Sequence, residues 1–423
     1  MAVKRRADAP VSSRPGKMMR TIVRPHSRSL PPCLPDAMIF SILSRLPSKS
    51  IIQCKLVCKA WRAMLSDRHF VDEHLGLSKA HPAMLVLPRA YFREREGLLS
   101  FSLDFYDFGH GGKVRERVYR QDIPNGIGPC TQPLHCDGLI LISTLNQEIM
   151  VCNPAIKEFV ALPKGSQNLN ESHRVGFGFD PSSNKYKVAR LFYQLEEDGT
   201  SAEPICRFEV LMLCTDDEWR QTVDDPPYPI MGKTPAHVRG ALYWMIDLPS
   251  AEHPNAFIRF DLADEKFSIT PCPLCERTEP TCFVQSEEEL CCACFTKQCL
   301  VEIGDVVEIW MICSKMGEAP PVWTLRCTIP LPQDSIVPYP TGGSKLPSVM
   351  FREKDLLLVC DYKVYEFCVG TGEIKEVAGA FRNLQYYDRL KKKYQTYMYM
   401  GKDVDFYTIT NYAESLVQIR GSA

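Results

Sequence analysis

The rhythm of apolar and polar positions changes once, early in this chain of 423 residues. Between Leu34 and Leu75 it is helical. Ile39, Ile42, Leu43 and Leu46 recur at i, i+3, i+4 and i+7, which puts them on one helical face. Pro35 suits the first turn of that helix and Pro47 stops it, because proline lacks the amide a helix interior needs. Ser48 is placed to cap a second short helix carrying Ile51 and Ile52. A third helix is expected around Val57, Ala60, Trp61 and Met64, at the same spacing. A unit of roughly 40 residues buries too little surface to stand alone. Its apolar residues (Leu34, Ile39, Leu43, Ile51, Leu56, Val57, Trp61 and Leu65) also outnumber what one buried stripe can hide. The surplus should face another protein or the domain that follows.

From about Met84 onward the pattern is short strands broken by turns. Arg174–Phe179 runs into Asp180-Pro181-Ser182-Ser183-Asn184 and then Lys185–Phe192. With 32 prolines and few long helical periods, this predicts an all-β sandwich, barrel or propeller. Repeats separate those options. NPAIKEFVALP at Asn153–Pro163 returns as DLADEKFSITP at Asp261–Pro271, each a strand–turn–strand unit. Leu211–Trp219 and Tyr365–Val377 have the same shape, and the strand around Trp323 ends another. The landmarks Phe159, Trp219, Phe267, Trp323 and Ile374 are spaced 60, 48, 56 and 51 residues apart. That is close to the roughly 50 residues of a kelch-type blade, and a ring of four-stranded blades is the simplest way to bury such units. An earlier unit at Leu99–Tyr119 and a closing one at Tyr397–Ile419 would bring the count to six or seven blades.

Composition narrows the classes. Apolar residues make up 45% and the net charge is −1, so wholesale disorder and a strongly basic nucleic-acid binder are both excluded as defaults. Apolar runs such as Leu139–Ile142 are far short of the roughly 20 residues that span a bilayer, so no membrane role is expected. Residues 1–29 carry eight cations, among them Lys4, Arg5, Arg6, Lys17 and Arg20, against Asp8 alone. Rich in Pro and Ser, residues 1–30 are expected to be a disordered basic tail: a plain solvated tail, a nuclear-import signal or a transit peptide. The chain has 19 cysteines and no apolar signal-peptide core. A cytoplasmic or nuclear protein with reduced thiols is therefore expected.

Within the helical segment, Leu34-Pro35-Asp36, Ile42-Leu43-Ser44-Arg45-Leu46-Pro47 and Cys54-Lys55-Leu56-Val57-Cys58-Lys59-Ala60-Trp61-Arg62 closely resemble the F-box motif. The resemblance assigns residues 31–76 to a three-helix F-box. It implies docking on a Skp-type adaptor and, through it, a cullin ubiquitin ligase. Carried over by position, the adaptor contacts are Leu34, Pro35, Ile39, Leu43, Leu46, Pro47, Val57, Cys58 and Trp61. Ala37-Met38 departs from the motif and is expected to lie off the docking surface.

Further along, His135-Cys136-Asp137-Gly138-Leu139, Cys152-Asn153-Pro154-Ala155, Gly176-Phe177-Gly178-Phe179-Asp180 and Val238-Arg239-Gly240-Ala241-Leu242-Tyr243-Trp244 resemble the F-box-associated, kelch-like domain of plant F-box proteins. Coverage is about 84–420, without a clear double-glycine kelch signature. The implied role is a substrate receptor. A scaffold or ligand-binding propeller without ubiquitin transfer is the alternative, and an enzymatic propeller a more distant one. The target is not named by the sequence. The acidic loop Leu195–Glu203 and Thr215–Glu218 are candidate recognition segments, since loops on one propeller face tolerate change.

Other constellations compete weakly. Cys272, Cys275, Cys291 and Cys294 match a four-thiolate zinc spacing. However, Leu290–Phe295 reads as a strand, on which Cys291 and Cys294 point to opposite faces, so no metal site is expected. Tyr386, Tyr387, Tyr394, Tyr397 and Tyr399 interleave with Arg389, Lys391, Lys392 and Lys393, a pattern that could stack single-stranded nucleic acid. A charged turn beside an aromatic strand explains it more simply. No GxSxG, P-loop, HxH or HExxH is present, and His135 beside Cys136 is no catalytic pair on a strand, so neither a catalytic residue nor a cofactor is expected.

Overall fold

The computed structural model describes residues 34–80, 83–90, 100–109, 113–124, 133–144, 147–169, 174–195, 204–246, 255–284, 289–296, 305–312, 322–332, 337–338, 344–345, 348–352, 354–360, 363–377, 385–388, 393–396 and 404–419. Four helices open it: α1 (Asp36–Leu43), α2 (Ser48–Cys54), α3 (Lys59–Met64) and α4 (Arg68–Ala80). Three had been expected. The fourth follows from Phe70, His74 and Leu75, whose helical spacing buries one side of α4. The caps also differ from expectation. Pro35 and Pro47 sit at the N-cap positions of α1 and α2, and Ser48 is the first residue of α2 rather than its cap. Phe40 meets Phe70 edge to face at 5.1 Å.

Strands follow to the end of the described chain. β1 (Ala83–Ala90), β2 (Ser100–Gly109) and β3 (Lys113–Pro124) come first. Blade 1 is β4 (Leu134–Cys136), β5 (Leu139–Ser143), β6 (Ile149–Asn153) and β7 (Glu158–Ala161). Blade 2 is β8 (Arg174–Asp180), β9 (Lys185–Gln194), β10 (Ile205–Met212) and β11 (Arg220–Gln221). Blade 3 is β12 (Ala236–Val238), β13 (Ala241–Met245), β14 (Ala256–Asp261) and β15 (Phe267–Pro271). Blade 4 is β16 (Thr278–Val284), β17 (Leu290–Thr296), β18 (Val306–Ile312) and β19 (Trp323–Pro330). The pair β20 (Val337–Pro338) and β21 (Ser344–Lys345) precedes blade 5, which is β22 (Ser348–Arg352), β23 (Asp355–Cys360), β24 (Lys363–Phe367) and β25 (Ile374–Val377). A hairpin of β26 (Gln385–Asp388) and β27 (Lys393–Thr396) leads to β28 (Val404–Tyr412).

Every blade is a four-stranded antiparallel meander, and the whole is a β-propeller. The sequence landmarks mark its outer edge: Phe159, Phe267, Trp323 and Ile374 lie on the fourth strands, and Trp219 immediately precedes one. Six or seven blades were expected; the described residues form five contiguous ones. The two extra units reckoned separately, Leu99–Tyr119 and Tyr397–Ile419, fall largely in one composite sheet among the described residues, ordered β28-β1-β2-β3. Its antiparallel β1–β28 register joins the two ends of the β region.

The core lies between blades. On β17, Cys291, Ala293 and Phe295 pack with Val349, Leu356 and Leu358 of blade 5. The alternate residues Leu290, Cys292 and Cys294 pack with Ala236, Met245 and Phe257 of blade 3. Both faces of an inner strand are therefore buried. This explains near-continuous apolar runs such as Leu139–Ile142, in place of the alternation of a half-exposed sheet.

Antiparallel pairing sends the first and third turns of each blade to one end. Neighbouring turns touch there. The Tyr186 hydroxyl donates to Asp137 Oδ2 at 3.0 Å, and the Leu262 amide donates to the Gly240 carbonyl at 2.9 Å. The helices dock on this same end. Lys79 Nζ pairs with Asp137 Oδ1 at 2.5 Å, Arg68 bonds Asn184, and Ile156 packs on the helical core. The strand ends Gln194 and Ile205, and likewise Met245 and Phe257, pair at the opposite end.

Candidate partner-binding surfaces

The helical unit has a clear inside. Leu43, Ile51, Leu65 and Phe70 are buried together, with Ile39, Leu46, Trp61 and Met64 packed around them. Four of the nine expected adaptor contacts, Ile39, Leu43, Leu46 and Trp61, thus turn inward. Leu43 in particular is fully enclosed, and it shapes the surface from beneath instead of forming it. Leu34, Pro35, Pro47, Val57 and Cys58 are exposed.

Sequence spacing missed the rest of the outward set. Met38 and Ile42 on α1, Ile52 on α2 and Leu56 in the turn after it are solvent-exposed, Leu56 to 85%. Met38, expected to lie off the docking surface, is exposed like Ile42. Ile42, expected to share one helical face with Leu43, points outward while Leu43 points in. The i, i+4 pairing of Met38 with Ile42 and of Ile52 with Leu56 was the available signal. So many exposed apolar side chains on two short helices have no reason to persist in a monomer, and patches of this kind mark contact sites.

Local bonds shape the surface. The Cys58 thiol sulfur accepts from the Trp61 amide at 3.4 Å and caps α3, so Cys58 has a structural role beside its exposure. Lys55, beside Leu56, has its ammonium pKa lowered by burial and by the nearby Arg62. His74 Nε2 donates to the Leu46 carbonyl at 3.1 Å, holding the end of the first loop against α4. Burial lowers the His74 pKa despite that bond.

The second surface is the propeller end away from the helices. Of the two candidate recognition segments, Thr215–Glu218 is a third-turn segment and shares the end occupied by the helices, beside Cys214 and Ile419. The two candidate segments therefore do not share one end of the propeller, as had been expected of recognition loops. The acidic loop joins β9 to β10, whose flanking residues Gln194 and Ile205 pair at the opposite end. Residues 196–203 of it lie outside the described residues, as do the basic tail, Arg389, Lys391, Lys392 and Tyr397–Tyr399.

The zinc-spaced cysteines are split. Cys291 faces blade 5, whereas Cys272, Cys275, Cys292 and Cys294 line the junction with blade 3. Cys275 Sγ lies 3.3 Å from Cys294 Sγ, which is 3.9 Å from Cys292 Sγ. Burial pushes the Cys272 thiol up to about 12, away from the thiolate a metal requires. Among the described residues no group of three or more His, Cys, Asp or Glu side chains could hold a metal ion. No described helix is long and apolar enough to cross a membrane.

Comparison with known proteins agrees with this architecture. Residues 100–419 match the model of the F-box associated beta propeller domain, and residues 32–74 match an F-box-like model. The chain belongs to the family of F-box proteins with a C-terminal F-box-associated β-propeller. An F-box/kelch-repeat protein of Arabidopsis thaliana is 26% identical over 80% of this chain and 78% of its own length. An F-box/LRR-repeat protein of the same plant is 27% identical over 61% of this chain. The match spans only 59% of that relative, about three fifths of its length. Among solved structures, an oligogalacturonate lyase in complex with manganese aligns with 77% of this chain and 90% of its own, at 9% identity and a TM-score of 0.41. That likeness is too low to bear on fold or chemistry.

Proposed function

We propose that this chain is the substrate-recognition subunit of a Skp–cullin–F-box ubiquitin ligase, working in the cytoplasm or nucleus. The F-box, residues 31–76, binds the adaptor, and the β domain, residues 84–420, holds a target protein. The observation that carries the reading is the outward apolar set of Leu34, Met38, Ile42, Ile52, Leu56 and Val57 on helices whose inner side is already satisfied. An adaptor helix or groove would cover it. The chain does no bond chemistry in this reading. It raises the effective concentration of a target lysine near the conjugating enzyme, and the rate gain comes from proximity.

The propeller end opposite the helices is the natural target face, since connections between strands can vary without disturbing the blades. The test is co-purification of the full chain with a Skp-type adaptor and a cullin, beside a Leu34→Ala/Pro35→Ala variant. Recovery of both partners by the wild type, and their loss in the variant, supports the reading. A wild type that recovers neither overturns it.

A further inference from the structure

Only residues 81 and 82 separate α4 from β1. A single covalent joint of that kind leaves a small domain free to rotate. Besides the direct contacts of Lys79 with Asp137 and of Arg68 with Asn184, the structure supplies an attachment from the far end of the chain, 366 residues from Ser48. After β28, residues 413–419 run along blade 1 at the end where the helices dock. The Ser48 amide, at the start of α2, donates to Glu414 Oε2 at 2.7 Å. Leu416, only 3% exposed, sits in the F-box core with Leu43, Ile51, Leu65 and Phe70. One wall of that core therefore comes from the C-terminal segment.

The other side of the segment is anchored by blade 1. Asn153 Nδ2 donates to the carbonyls of Ser415 at 3.0 Å and Val417 at 2.8 Å. The Ile419 amide donates to Glu158 Oε2 at 2.8 Å, and the Cys214 thiol donates to the Ile419 carbonyl at 2.6 Å. Asn153 is informative because its repeat partner in blade 3 is an aspartate. Asp261 Oδ1 accepts from the Ala263 amide at 2.8 Å and closes its own turn. Asn153 Oδ1 does the same for Ala155 at 3.1 Å. What the amide adds is a donor, and a carboxylate has none at neutral pH. That donor is spent entirely on the C-terminal segment.

We infer that residues 413–419 are a strap that completes the F-box core and fixes the helices to the propeller, with Asn153, Glu414 and Leu416 as its positioning residues. The consequence for ubiquitin transfer rests on the receptor reading above. A rigid receptor holds the target face at a set distance and angle from the adaptor, which is what proximity catalysis needs. The strap itself does not depend on that reading.

The experiment is hydrogen–deuterium exchange on the full chain without adaptor. It compares wild type with Asn153→Asp, which keeps an acceptor for the Ala155 amide but turns a carboxylate oxygen toward the Ser415 and Val417 carbonyls in place of the donor, and with Glu414→Ala. Amides of α1–α3 are expected to exchange about tenfold faster or more in both variants, with strands of blades 3 and 4 unchanged. Unchanged exchange in the helices of both folded variants overturns the inference. So does equal acceleration across all blades, which would make Asn153 a general stability residue. Failure of the wild type to bind an adaptor would sink the ligase reading alone and leave this result standing.

Discussion

The link from blade 1 to blade 2 is held by a buried ion pair whose removal has a calculable effect. Arg190 and Glu209 face each other across β9 and β10, each no more than 3% exposed. Arg190 Nε bonds Glu209 Oε1, and Arg190 Nη2 bonds the Ser166 carbonyl. Glu209 also accepts from Ser166 Oγ at 2.8 Å and from the Ser166 amide. The guanidinium lies over Trp219 at 5.5 Å, the residue that marks the outer edge of blade 2. The link passes so close that a Cβ at Gly165 would stand 2.2 Å from Glu209 Oε1. Arg190→Met strands a buried carboxylate with only serine donors, a loss of about 3–5 kcal/mol. The missing guanidinium–ring contact adds about 0.5–2 kcal/mol. Glu209→Leu in the same background removes the stranded charge and leaves two serine donors unpaired, about 1–3 kcal/mol each. The double variant should therefore cost about as much as Arg190→Met alone rather than the sum of the two single changes, and the pair should couple by at least about 2 kcal/mol in a double-mutant cycle. Denaturant unfolding of the β domain, followed through the near-ultraviolet signal of its tryptophans, measures this. A cost for Arg190→Met below about 1 kcal/mol, or additive single effects, would refute the reasoning.

Three further expectations follow from other sites. The Gly138 amide donates to His135 Nε2 at 3.1 Å, and burial holds the His135 pKa down to about 4, with Asp137 raising it and Lys79 lowering it. The unfolded ring titrates near 6.5, so its contribution is fully present above that pH and is lost as pH falls toward about 4. His135→Gln should flatten the fall in melting temperature between pH 7.5 and 5, and an unaltered slope would exclude His135 as its source. Gly138 has φ +79° and a Cβ there would lie 2.4 Å from the Ala413 carbonyl, so Gly138→Ala should cost more than about 1 kcal/mol and loosen the strap, read by helix exchange. Leu43→Ala should destabilise the F-box by about 2–5 kcal/mol in unfolding experiments. Its exposed neighbour Ile42→Ala should cost under about 0.5 kcal/mol.

Much of this was legible in the sequence because repeats carry more than local propensity. The motif at Asn153–Pro163 and its copies mark third-to-fourth strand turns, several of which place one residue in the left-handed region: Lys157, Glu265 and Gly372. Turn chemistry recurs at a fixed place in a blade, so its spacing survives divergence elsewhere. The composite sheet was not legible, since β28 pairs with β1 across the whole domain and no local pattern encodes so distant a partner. Counting both ends as separate blades was the natural error. On the helices, the i, i+3, i+4, i+7 rule found an apolar face but not its division. Ile42 and Leu43 are equally apolar, and only the packing of Leu416 and Phe70 decides which is inside. The strap residues gave no signal, because Glu414 and Leu416 act through contacts with α2 and its core, hundreds of residues away.

Titration of a purified Skp-type adaptor against the full chain and an Ile42→Asp/Leu56→Asp variant tests the central claim most directly. Both side chains face solvent, so the variant should melt with the wild type. The account predicts tight wild-type binding and a loss of at least about a hundredfold in the variant, because two charges would be buried unpaired at the contact. Equal affinity of the two proteins, with both folded, would contradict it.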